Sequence, residues 1–126
     1  MVGVPKLLIR EDRLSVIVFK DRMRDLRTLI SIEFAEIPII ELQPGDLSLI
    51  GSLDKERRDQ VLILGDVFNH DCAVACLSAL EHGYHVFAIL PPDRCMTEPE
   101  IIRLTMASVL VLTEAQCLSD LRYTPY

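Results

Sequence analysis

Three apolar runs in the second half of the chain limit the folds open to it: Val61-Leu62-Ile63-Leu64, Val86 to Leu90, and Ser108 to Leu112. None is interrupted by a charge, so none has a face to offer to water. A helix is expected after each. The first runs from Ala73 to His82 and is closed by Gly83-Tyr84. The second opens at Thr97-Glu98-Pro99-Glu100, which has capping-box spacing with Pro in the first turn. The third opens at Thr113-Glu114-Ala115-Gln116, of the same form. Apolar strands alternating with helices predict parallel strands covered on both faces. The expected fold is therefore an α/β/α three-layer sandwich around a mostly parallel, Rossmann-like sheet.

The first half is read in the same way. Lys6 to Arg10 and Leu14 to Phe19 are β-like runs, with Glu11-Asp12-Arg13 between them as a hairpin turn or a break between two short strands. From Asp21 to about Phe34, Met23, Leu26, Leu29, Ile30 and Phe34 recur at helical spacing. Lys20, Arg24 and Arg27 share another face of that helix, read as solvated rather than as a phosphate site. Ile37 to Leu42 is a strand, Pro44-Gly45 a tight turn, Leu47 to Ile50 a further strand, and Asp54 to Gln60 a short polar helix. No internal repeat, linker or low-complexity tract divides the chain.

One domain is expected from 126 residues, a size that buries roughly 65% of its unfolded surface. Half the residues are apolar, which leaves surplus surface for a homo-oligomer interface. The net charge of −6 argues against nucleic acid and anionic membrane as partners. No run approaches the roughly 18 apolar residues of a membrane span, and the N-terminus lacks the plan of a signal peptide. A cytoplasmic protein is expected. Cys72, Cys76, Cys95 and Cys117 form no C-x-x-C pair, so neither a disulfide scaffold nor a metal site is expected. Cys76, Cys95 and Cys117 read as small buried hydrophobes.

The segment Gly65-Asp66-Val67-Phe68-Asn69-His70-Asp71-Cys72 joins the first of these strands to its helix. Such a turn lies at the carboxyl end of the strand, where open α/β sheets keep their ligands. Asp66, Asn69, His70 and Asp71, with Asp93 after the next strand, are the candidate ligand-binding residues for a small polar molecule. Their ordinary roles are turn formation for Asp66 and Asp93, helix capping for Asn69 or Asp71, and hydrogen bonding at the helix start for His70. A thiol at Cys72 would gain acidity from the helix N-terminus and lose it to the neighbouring Asp71 charge.

From Gly65 through Cys72, then Ser78-Ala79-Leu80-Glu81-His82-Gly83-Tyr84-His85-Val86, the text resembles the isochorismatase-like cysteine hydrolases, the group that includes nicotinamidases. Ser108 to Leu112 with Thr113-Glu114, and Pro44-Gly45-Asp46, are similar to other landmarks of that family. The resemblance covers about half the chain; the N-terminal part diverges. It implies a Cys nucleophile, a carboxylate base after the first strand, and a Lys after the third. Counted without gaps between Gly65 and Gly83, the nucleophile position falls on Asp71; one extra turn residue would put it on Cys72. Asp21 is the available carboxylate, and the Lys position falls near Gly51-Ser52, with no Lys from there until Lys55. The chain is thus expected to be a shortened isochorismatase-like pseudoenzyme, structural or ligand-binding, with no cofactor. The alternative is a cysteine hydrolase of small amide or related C–N or vinyl ether substrates, using Cys72 and Asp21.

Overall fold

The computed structural model describes residues 9–19, 24–42, 57–65, 70–91, 95 and 97–122. The order is β1 (Leu14–Phe19), α1 (Arg24–Glu33), β2 (Ile39–Leu42), β3 (Gln60–Leu64), α2 (His70–Glu81), β4 (His85–Ile89), α3 (Pro99–Met106), β5 (Leu110–Leu112) and α4 (Glu114–Arg122). The strands form one sheet in the order β2-β1-β3-β4-β5, and every pairing is parallel. Side chains alternate across the pleat. Ile17, Val61, Ile63, Val86 and Ala88 meet α2 and α3 on one face. Val16, Val18, Leu62, Leu64, Phe87 and Ile89 meet α1 and α4 on the other. The three-layer α/β/α sandwich expected from the sequence is present.

Helix α1 buries Leu26, Ile30 and Phe34, the i, i+4, i+8 stripe of an amphipathic helix. Arg27 on its solvated side approaches Glu41 at 3.5 Å. The N-terminal edge of the sheet is held by two arginines. Arg13 grips Asp59 through both carboxylate oxygens, with Nε–Oδ1 at 2.8 Å. Arg58 Nη1 donates to the carbonyls of Glu11 and Leu14 at 2.9 and 2.8 Å, and its Nη2 to Glu36 at 3.3 Å. The buried Gln60 accepts from the Arg10 N–H at 2.8 Å. Burial pushes the Asp59 carboxyl up, but the hydrogen bond and charge of Arg13 outweigh it and hold the group below its ordinary range.

Several expectations needed correction. Glu11–Arg13 is a 3-10 turn rather than a hairpin, because β1 pairs in parallel on both sides and has no antiparallel neighbour. Lys6 to Leu8 lie outside the described residues, as do Pro44-Gly45 and Leu47 to Ile50; Ile9 and Arg10 are not strand. The polar helix does not reach Gln60, which is the first residue of β3. Helix α2 begins at His70 rather than Ala73. Thr97 does not cap α3; the cap position is Glu98, whose side chain makes no capping bond to the helix. Thr113 does cap α4, its Oγ1 accepting from the Gln116 N–H at 3.1 Å while Gln116 Oε1 accepts from the Thr113 N–H at 3.0 Å.

The last strand starts at Leu110, not Ser108, because Ser108 ends α3. Helices α2 and α3 close with the same device. Tyr84 N–H reaches Ala79 O at 3.1 Å and Gly83 N–H reaches Leu80 O at 2.9 Å; Val109 N–H reaches Leu104 O at 2.9 Å and Ser108 N–H reaches Thr105 O at 3.0 Å. This is the Schellman pattern, which needs a left-handed residue at its centre. Gly83 supplies it at φ 86°, and Ser108 at φ 78°. His82 Nδ1 lies 2.8 Å from the Ser78 carbonyl, which also accepts the His82 N–H at 3.1 Å.

Serine is strained in the conformation that suits glycine. Ser108→Gly is expected to raise stability by about 1 kcal/mol and Gly83→Ala to lower it by about 1 kcal/mol, read from urea midpoints at unchanged m. Asp59 stabilises the fold above the unfolded carboxylate pKa, and this contribution is lost as pH falls through its lowered folded value. Asp59→Asn should therefore be less stable than the parent at pH 7 and lose less on acidification, measured by urea denaturation across pH.

Candidate functional site

The sheet order reverses at β1. The chain leaves β1 outward to β2, then returns to place β3 on the other side. Ligands of open α/β sheets sit at the carboxyl ends of the strands flanking such a reversal. Here those ends are Phe19 on β1 and Leu64-Gly65 on β3, with the start of α2 above them. Asp21, Asp66, Asn69 and Asp93 lie outside the described residues. His70, Asp71 and Cys72 form the first turn of α2.

Helical spacing decides which of the three faces the sheet. Cys72, Ala75, Cys76 and Ala79 are the buried residues of α2, an i, i+3, i+4, i+7 stripe, and they pack with Val61 and Ile63. Cys72 belongs to that stripe and is 1% exposed. Asp71, one residue back, is half-buried, and His70 is exposed. Asp71 is the second residue of α2 and lies in its first turn. Its charge near the helix N-terminus remains favourable. His70 makes no side-chain hydrogen bond among the described residues.

Gly65 explains how the thiol is held. A Cβ built on Gly65 would stand 2.9 Å from Phe19 Cδ2 and 3.1 Å from Cys72 Sγ. The backbone of β3 thus emerges directly beneath the Phe19 ring and the Cys72 sulfur. Phe19 was legible only as the end of a strand; its approach to Gly65 beside the thiol is a tertiary contact without a local signal. The other cysteines divide. Cys76 and Cys117 are buried as expected, whereas Cys95 is exposed. Burial, reinforced by the charges of Asp120 and Glu114, pushes the Cys117 thiol up to about 12.

No protein-family model matches this chain, and no curated protein matches it. Among solved structures it matches YcaC from Pseudomonas aeruginosa, in a complex with hexane-2,5-diol and covalent acrylamide. The TM-score is 0.63, over 94% of this chain and 85% of that one, at 14% identity. The fold is that of YcaC. This agrees with the three-layer α/β/α architecture around a parallel sheet expected from the sequence. At this identity the likeness to YcaC carries the fold alone, and the residues of the site are read from this chain.

Apart from His70, Asp71 and Cys72, the residues of the expected constellation lie outside the described residues. No group of three or more His, Cys, Asp or Glu among the described residues is placed to hold a metal ion. An open groove of about 390 Å³ is lined by Asp25, Thr28, Leu29, Ile32 and Glu33 of α1. That helix covers the opposite face of the sheet from α2, so the groove does not serve Cys72. No helix among the described residues is long and apolar enough to cross a membrane.

Gly65→Ala is expected to cost about 1–3 kcal/mol by overpacking against Phe19 and Cys72. Adding Cys72→Ala should recover part of that loss, because the sulfur is one of the two atoms the new methyl meets. A double-mutant cycle in urea checks it; strict additivity would show that Gly65 and Cys72 do not share this space.

Proposed function

We propose that this chain is a single isochorismatase-like domain that lacks hydrolase activity and serves a structural or ligand-binding role. One observation carries the reading: Cys72, the thiol nearest the expected nucleophile position, is 1% exposed, its sulfur close over Gly65 in the core cluster that also holds Phe19. Covalent catalysis needs the thiolate within reach of a substrate carbon. A sulfur in the stripe that glues α2 to β3 is spent on packing instead. The lack of a Lys at the expected position near Gly51-Ser52, with none from there until Lys55, supports the same reading. Any ligand would meet the switch point through His70 and Asp71, with Asp66, Asn69 and Asp93 as its further proposed contacts.

The rival reading, a cysteine hydrolase using Cys72 with Asp21 on a small amide or related C–N or vinyl ether substrate, has one observation in its favour. The sulfur lies beside Gly65 at the sheet reversal, the usual place for chemistry in this architecture. YcaC carries a covalent acrylamide, which makes acrylamide a suitable probe here. The four free thiols suit a reducing compartment, and the cytoplasm is the proposed location.

Acrylamide labelling of the native protein, mapped by mass spectrometry, separates the two. Cys95 is expected to react first, with Cys72, Cys76 and Cys117 modified only as the protein unfolds. Modification of Cys72 ahead of Cys95 would overturn the inactive reading and restore the hydrolase.

A further inference from the structure

Helix α3 carries an unused ridge on its outer side. At 100° per residue, Pro99, Ile102 and Met106 lie together, opposite the buried pair Ile101 and Leu104. Ile102 is 45% and Met106 81% exposed, and Pro99 is exposed too. Glu100 and Arg103 lie together on one flank of this ridge. Both are exposed, and neither forms an ion pair among the described residues, even with the other at i, i+3.

A carboxylate and a guanidinium on the same flank of an apolar ridge are self-complementary under a two-fold axis. We infer that α3 is a docking surface for a second copy of this chain, joined antiparallel through α3. An axis crossing the helix near Ile102 sets Ile102 against its own counterpart and Pro99 near Met106 of the second copy. In an antiparallel helix pair like flanks face each other, so Glu100 of each copy comes beside Arg103 of the other. The contact is isologous and closes on itself. An eight-residue helix covers less than the roughly 800 Å² per partner of a standard interface, so the dimer is weak and depends on concentration. It is independent of the chemistry of Cys72.

Sedimentation equilibrium of the full chain, from about 10 μM to about 1 mM, tests it, since weak interfaces titrate in this range. A reversible monomer–dimer equilibrium is expected, abolished by Met106→Lys with the circular dichroism spectrum unchanged. Glu100→Arg and Arg103→Glu should each weaken association about tenfold or more by setting like charges face to face. The double reversal Glu100→Arg/Arg103→Glu should restore it. A chain that stays monomeric throughout, a dimer indifferent to these changes, or a double reversal that fails to rescue would each overturn the inference.

Discussion

β3 has no residue in water. All five of its positions are buried, with Val61 and Ile63 on one face and Leu62 and Leu64 on the other. A strand enclosed in this way must be paired on both edges and covered on both faces, because its backbone groups have no water to turn to. β1 and β4 meet the first requirement and the helical layers the second. The rest of the fold follows from accommodating that one strand. The crossovers are helices because the strands are parallel, and Gly65 lies where β3 meets a ring and a sulfur at its exit.

The second half of the chain was legible because its signals are local. Unbroken apolar runs, a Gly at the end of α2 and a reciprocal Thr113–Gln116 cap are readable within a few residues. Ser108 was misread because nothing in its side chain announces a left-handed turn; Val109 and Leu104 impose it by packing together. Thr97 was misread because Pro99 fits the first helical turn equally well with the cap one residue later. The grip of Arg58 on three carbonyls, each more than twenty residues away in sequence, left no local trace.

The candidate site shows the same division. The sequence located the turn and left Asp71 and Cys72 competing for one position. Helical phase turns Cys72 toward the sheet and leaves Asp71 half-buried beside it. The stripe that holds Cys72 is the one that packs α2 on the sheet. The sequence could name the thiol but not Phe19 as its neighbour over Gly65, since the two lie fifty-three positions apart.

The caps at the two ends of β5 reach beyond the helices they finish. Leu112 accepts from Leu90 at 2.7 Å, so Leu110 and Leu112 direct their backbone toward β4. Val109, Val111 and Thr113 then turn toward the outer rim. The Val109 N–H is taken by Leu104 and the Thr113 N–H by Gln116, which leaves Val111 as the one uncommitted donor of this stretch among the described residues. A rim with a single donor is a poor template for another strand, which guards a parallel sheet against growing from chain to chain.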